Sequence, residues 1–439
     1  MRDNKRIWIL EIVILTFYKL LLEFYFLPLY FKVYGYLTDT LTFNQDKWII
    51  SNLIYLVFVV LLINRKKVYN DLYLYIIRFL YVLFVIPSLS VYVLRYTSTA
   101  YDVLVPSIYF LLTIILLKNC SYHNDERPAE IIKMPDIRYI DVIALFASVV
   151  IACFIWSYVG NPVIWDLDDT TEQRMALRAS ALPTILNYVF MVLGGTIFPY
   201  FFGRFLDSKD YFKSILAFAG GVLLFFTNGM KAWLFYYFLT IGIFILFKMG
   251  RGSTYKVLIM FEAMFMLLPI LSGMVYSIWG NSTAISLFAR ITTIPANIGY
   301  KSITFFSNPD NPYLYLRESI LRFFFDSPYA GGSDFYISYG ANRVLESSRA
   351  NNGLWGDAFR NFGIIGSFIY PIAFVKCLNI IVNNGKEQTN RLMVIVLFSL
   401  LYRAGDTSFF TWLLTGGTII LTLILKIYKS NSSTAQKLS

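Results

Sequence analysis

The sequence predicts an all-α integral membrane protein of about 12 transmembrane helices with one large extracytoplasmic loop. Three observations lead there. Hydrophobic residues make up 57% of the 439 positions and charged ones only 15%, where a soluble domain carries roughly 25% charged residues. Runs such as 140–159, 257–279 and 409–428 each supply the roughly 20 apolar residues that a spanning helix needs. Basic residues recur on one side of those runs, which is how membrane topology is written in a sequence.

The expected spans run at about 7–31, 48–63, 72–94, 103–118, 140–159, 184–203, 214–230, 232–248, 257–279, 361–382, 391–405 and 409–428. The first follows Arg2, Lys5 and Arg6 and is too long for a cleavable signal peptide, so it is expected to stay as an anchor. Glu11, Lys19 and Glu23 fall near one face of it and are expected to point into the bundle. Arg78 and Glu262 lie within two turns of the cytoplasmic ends of their spans and need no functional reading. The N-terminus, Arg65-Lys66-Lys67, 118–138, 204–213, 248–256, 386–391 and the 426–437 tail share one side. The positive-inside rule makes that side the cytoplasm, with both termini within it. The segment 118–138 also carries acids, and the topology stands without it.

This division gives a transmembrane bundle over 1–279, a large, partly helical periplasmic loop over 280–360, and C-terminal helices with a cytoplasmic tail over 361–439. Three features face outward. A loop at 160–183 places Asp166, Asp168, Asp169 and Glu172 ahead of Arg174 and Arg178. The large loop interleaves Arg290, Arg317, Arg322, Arg343, Arg349 and Arg360 with Asp310, Glu318, Asp326, Asp334, Glu346 and Asp357. Its many aromatic residues predict that it folds against the bundle. The third feature is a pair of tight hairpins at 227–231 and 403–406. Because 392–402 rises only about 17 Å, its turn is expected below the outer membrane surface. The two turns together predict a recessed polar cavity carrying Lys231, Arg403 and Asp406.

A net charge of +11 would point to nucleic acid in a soluble protein, but here the basic residues flank apolar segments, so no nucleic-acid partner is expected. Cys120, Cys153 and Cys377 lie far apart, and His123 is the single histidine. No metal-ligand spacing exists, and no metal or cofactor is expected. Guanidinium groups hold phosphate in bidentate fashion and keep their charge. Lys231, Arg290, Arg403, Arg174 and Arg178 are therefore candidates for a diphosphate clamp, with Arg317, Arg322 and Arg360 as further substrate-binding positions. Asp334, Asp357 and Asp406 are candidates for taking a proton from an acceptor hydroxyl, in no set order. Each has a plainer alternative. Arg403 and Asp406 can close a hairpin, Lys231 can reach the interface, and Asp357 can face a helix dipole. Loop aromatics such as Tyr313, Tyr315, Trp355 and Phe362 suit stacking on sugar faces as well as packing.

The stretch Arg290-Ile-Thr-Thr-Ile-Pro-Ala-Asn-Ile-Gly-Tyr300 with Phe305-Phe-Ser307 resembles the start of the large periplasmic loop of Wzy-type O-antigen polymerases. The stretch from Asn351 to Gly366 is similar to that family's Gly-Asp-Ala-(aromatic)-x-Asn-Phe-Gly pattern, here Gly356 to Gly363. Together the motifs cover about 30 residues of the chain. The resemblance implies the O-antigen polymerase/ligase, GT-C-like architecture in a bacterial inner membrane. It also implies a metal-independent glycosyltransferase acting on undecaprenyl-pyrophosphate-linked oligosaccharides. The growing glycan is transferred to a hydroxyl of the next lipid-linked unit, and a chain-length regulator and a flippase are the implied partners beside membrane lipid. The related ligases use a histidine of the large loop; His123 is assigned to the cytoplasm, which weighs against a ligase. A flippase for lipid-linked oligosaccharide and a single-sugar transferase, with Asp39 and Asp46 in the first outer loop, are the remaining alternatives. Against the flippase stand the concentration of loop length in one place and the lack of an internal repeat.

Overall fold

The computed structural model describes residues 2–34, 42–63, 71–95, 99–122, 138–160, 177, 182–251, 253–319, 321–322, 324–330, 332–339 and 353–438. Among them the regular elements are all helices, and 11 helices are long and apolar enough to cross a membrane. Nine precede the large loop: α1 (Ile9–Tyr34), α2 (Gln45–Ile63), α3 (Asp71–Leu94), α4 (Leu104–Tyr122), α5 (Arg138–Tyr158), α6 (Thr184–Asp207), α7 (Tyr211–Asn228), α8 (Lys231–Met249) and α9 (Thr254–Trp279). The loop holds α10 (Thr283–Ile291), α11 (Thr293–Phe306) and α12 (Ser333–Tyr339). After it come α13 (Leu354–Asn384), α14 (Asn390–Asp406), α15 (Phe409–Leu413) and α16 (Thr418–Leu438).

The outward faces of these helices carry large apolar side chains. On α5, Ile143, Phe146, Val150 and Phe154 follow one face and are 68%, 65%, 52% and 56% exposed. Leu145, Ala152 and Ile155 turn inward. A helix that is apolar on its outer face as well as its inner one suits lipid rather than water.

Prolines shape the helices in a regular way. The π-helical turns Leu22–Phe26, Tyr81–Val85 and Leu193–Ile197 are each followed two residues later by proline: Pro28, Pro87 and Pro199. Proline offers no N–H, and its ring crowds the carbonyl four residues back. The widened turn absorbs that conflict while the helix continues.

Two expected spans need correction. Arg403–Asp406 continue the helix instead of forming a turn, so α14 has 17 residues and reaches about 26 Å. The 17 Å rise behind the expected recess is therefore not observed, and α14 is not among the 11 helices long and apolar enough to cross a membrane. The run 409–428 lies within a stretch long and apolar enough to cross a membrane, as expected, but its helix is interrupted: α15 has 5 residues, and the chain turns at Gly416 and Gly417, the latter at φ 74°, before α16. The carbonyls freed by this break are satisfied locally. Thr418 Oγ1 donates to Trp412 O at 2.7 Å, and Thr196 Oγ1 donates to Gly416 O at 2.9 Å. Backbone groups at membrane depth require such partners because lipid supplies none.

The chain forms two compact units interleaved along the sequence: 1–126, 249–376 and 401–409 in one, 127–248, 377–400 and 410–439 in the other. In the first unit α3 is buried along nearly its whole length. Glu11, Lys19 and Glu23 do point inward, and all three are buried. Lys19 Nζ donates to Glu23 at 2.5 Å and to Asn52 at 3.0 Å. Arg78 and Glu262 are buried as well; Arg78 pairs with Glu11 and lies 3.5 Å from Glu262. The large loop lies against this unit, as its aromatic content predicted: Tyr300 of α11 is buried and donates to the Ser88 carbonyl of α3 at 3.2 Å. In the second unit, Arg204 is bound by Asp141 at 2.8 Å and by Gln388 at 2.8 Å, under the ring of Tyr428.

Candidate functional site

The stretch singled out between Gly353 and Gly366 folds into a hydrogen-bonded knot at the start of α13. Asp357 in its first turn is fully buried. Its Oδ1 accepts from Arg360 Nε at 2.9 Å and Asn361 Nδ2 at 3.0 Å, and its Oδ2 accepts from the Phe409 N–H at 2.9 Å. Asn361 Oδ1 accepts the Leu316 N–H at 2.7 Å, while the Leu314 N–H donates to the Arg360 carbonyl at 2.9 Å. Three pieces of chain are thereby fastened together: the loop at 314–316, the first turns of α13 and the start of α15. The helix then breaks at Phe362 and Gly363. Gly363 adopts φ 57° and ψ −139°, backbone that a side chain strongly disfavours, and the Tyr313 ring occupies the place a Cβ would take.

Arg360 is the centre of this knot. It is only 5% exposed and faces three carboxylates. Nη2 lies 2.9 Å from Asp357 Oδ1, while Nη1 lies 2.6 Å from Asp334 Oδ1 and 3.8 Å from Glu318 Oε2. A guanidinium removed from water needs such partners. Glu318 is fixed in turn, accepting from Ser327 Oγ at 2.6 Å, the Ser333 N–H at 2.6 Å and Ser333 Oγ at 2.5 Å. These bonds tie 318 to the first residue of α12 and give the loop a defined shape.

An open cleft of about 260 Å³ lies on this framework, lined by Arg317, Glu318, Arg322, Phe325, Asp326 and Asp334, with a sliver of Arg360. Arg322 is exposed and Arg317 half-buried. Burial pushes the Asp334 carboxyl above the usual carboxylate range; Arg360 opposes the rise, while Glu318 and Asp357 add to it. Burial, with Glu318 nearby, raises the Tyr329 hydroxyl to about 12. That hydroxyl donates to the Pro312 carbonyl at 2.9 Å. The cleft thus offers fixed cations for an anion and, beside them, a carboxyl that binds a proton more readily than usual.

The sequence-derived candidates fall into distinct groups. Arg317, Arg322, Arg360 and Asp334 come together. Asp357 is adjacent but closed off, with both oxygens engaged inside the protein. Arg403 is buried in the last turn of α14. That turn lies against the motif: a side chain on Gly353 would strike the Gly405 carbonyl. The Thr407 N–H and Oγ1 both donate to the Arg403 carbonyl, at 3.0 and 2.9 Å. Asp406 ends α14 and is half-buried. Arg290 is exposed in the last turn of α10. Lys231 opens α8 in the second unit, and its side chain lies outside the described residues, as do Arg174 and Arg178.

A second polar cluster was not foreseen. Lys47 Nζ donates to the Arg95 carbonyl at 2.7 Å. Arg95 donates to Thr304 Oγ1 at 2.9 Å, stacks 4.9 Å from the centre of the Tyr300 ring, and faces Asp102 at 3.9 Å. Tyr101, beside Asp102, reaches Phe359 of the motif at 5.9 Å between ring centres. The available signal was a lone arginine closing the apolar run of α3, with an acid a few residues later. Glu318 was visible only as one acid among several; its bonds to Ser327 and Ser333 depend on the loop's fold.

Among the described residues, no three His, Cys, Asp or Glu side chains are grouped to hold a metal ion. No family model matches the chain, and neither a curated protein nor a solved structure matches it.

Proposed function

We propose that this chain is a multi-pass glycosyltransferase of the bacterial inner membrane that polymerises lipid-linked oligosaccharides on the periplasmic face, both termini being cytoplasmic. The observation that carries the reading is the cleft: Arg317 and Arg322 beside the Asp334 carboxyl, in a loop mounted on an apolar helix bundle. The likeness of its two loop motifs to O-antigen polymerases supports the same reading, as does the one-sided distribution of basic residues.

In the proposed reaction the growing glycan leaves undecaprenyl pyrophosphate for a hydroxyl of the next lipid-linked unit. The bond between the sugar's anomeric carbon and the diphosphate oxygen breaks, and the diphosphate keeps the electron pair. A new bond forms from that carbon to the acceptor oxygen, whose proton passes to a carboxylate. The sugar carries oxocarbenium character on the way, as in other glycosyl transfers. Diphosphate leaves once its charge is held, and Arg317 and Arg322 supply fixed positive charge without a proton. Of the three aspartate candidates, Asp334 is the one that lines the cleft, and burial raises its proton affinity, so it takes the acceptor's proton. Arg360 positions Asp334 and Glu318, and Arg403 steadies the turn beside Gly353. Arg290, at the end of α10, remains available to a lipid headgroup.

A flippase is the second reading. It draws on the charges buried within the bundle, Lys19 with Glu23 and Arg78 with Glu262, since transporters keep charges at membrane depth. Lys19 and Glu23 are hydrogen-bonded to each other and Arg78 faces both Glu11 and Glu262, ion pairing that favours a packing role. The surface glycan of a deletion strain separates the readings. A polymerase leaves a single repeat unit on the final acceptor, a ligase leaves no transferred glycan, and a flippase leaves units trapped on the cytoplasmic leaflet.

A further inference from the structure

The Arg360 guanidinium has two sides with different fates. One is closed: Asp357 holds it at 2.9 Å with only 1% of its own side chain exposed. The other is open to the cleft. There Asp334 Oδ1 sits 2.6 Å from Nη1, with 34% of its side chain exposed. That distance is a charge-assisted hydrogen bond, the same bond a phosphate oxygen would make with this nitrogen.

We infer that Asp334 is a base held in reserve: in the empty cleft it occupies Arg360 as a stand-in for a ligand's anionic oxygen, and a diphosphate that takes Nη1 displaces it and makes it the proton acceptor. This rests on reading the cleft as a diphosphate site. The charge balance couples the exchange to a proton. Asp334, Asp357 and Glu318 already surround one guanidinium, and Asp326, Arg317 and Arg322 complete the cleft's charged lining. From α11, packed against α12, the one charged residue is Lys301. A bound dianion takes the counter-charge away from Asp334 and sets a negative charge beside it. Both changes favour the protonated carboxyl, which burial already favours. Asp334 therefore becomes a stronger base only when donor lipid is present, and proton removal from the acceptor waits for the donor.

The linkage is measurable without turnover. If an anion raises the proton affinity of Asp334, protons must tighten the anion in return. The experiment is calorimetric titration of the full-length protein in detergent with inorganic pyrophosphate across the mildly acidic to mildly alkaline range, for wild type and Asp334→Asn. The probe's own titration is common to both curves. Expected is a wild-type affinity that rises on acidification by up to tenfold per pH unit relative to the variant, and a variant that binds more tightly at the alkaline end. Parallel curves, or a variant weaker throughout, overturn the inference. Sulfate, whose charge is constant over this range, repeats the test with wild type alone and keeps it decidable should the variant not fold; a flat sulfate affinity overturns it equally. Absence of binding by either anion refutes the diphosphate reading itself, whereas binding without proton coupling refutes only the reserve base.

Discussion

Replacing Arg360 by alanine removes the cation that, among the described residues, Asp357, Asp334 and Glu318 share. The three carboxylates do not suffer alike. Asp334 is 34% exposed and Glu318 14%, so water and serine donors partly compensate them. Asp357 is fully buried and would lose its guanidinium partner, keeping the Asn361 and Phe409 donors. Breaking a buried pair from one side costs about 3–5 kcal/mol, and Asp357 should account for most of it. Arg317→Ala, on the cleft surface, should stay within about 0.5 kcal/mol of wild type. The assay is the fraction of purified protein that remains monodisperse after heating in detergent. Arg360→Ala should aggregate at clearly lower temperature than Arg317→Ala. The double variant Arg360→Met with Asp357→Asn should recover part of the loss, because neutralising the stranded charge removes the main penalty. Equal stability of the two single variants, or a double variant worse than Arg360→Ala, would refute the placement of Arg360 as the structural hub.

The remaining predictions concern the cleft, the kink and the chemistry. Arg317→Ala and Arg322→Ala should each shorten or abolish long-chain glycan while the protein stays folded, read from glycan ladders alongside membrane abundance. Gly363→Ala should cost about 1–3 kcal/mol because its backbone conformation excludes a side chain, and heat resistance equal to wild type would show that the kink tolerates one. Arg290→Ala and Arg403→Ala should leave a single repeat unit on its final acceptor, with normal ladders in both counting against a role for either. Polymerisation should persist in chelator, since guanidinium groups supply the charge that a metal would otherwise provide; loss of activity restored by a divalent ion would overturn this.

The membrane architecture was legible because lipid leaves a chain few choices. A long apolar run can satisfy its backbone only as a helix, and eleven of the expected spans fall on α1 to α9, α13 and the α15–α16 pair, while 391–405 falls on α14, which is helical but not among the candidate spans. The errors came where local chemistry leaves no mark on hydropathy. Arg403–Asp406 looked like a turn because they are polar, yet α14 runs through them, packed against Gly353. The break at Gly416 and Gly417 was hidden in an apolar run, and its two threonine donors lie in different helices. The cleft was half visible. Its arginines and Asp334 could be named from type and location, but the Arg360–Asp334 bond joins residues 26 apart, and no spacing rule reaches that far. Asp357 showed the reverse: its place at a helix start was readable, while its bond to the Phe409 N–H was not.

The most direct test is reconstitution of the purified protein in vesicles with undecaprenyl-pyrophosphate-linked repeat units and no other protein. The account predicts a ladder of polymer that grows with time, and none from the Arg317→Ala/Arg322→Ala double variant recovered as the same monodisperse particle. A ladder from that variant, or none from the wild type, would contradict it.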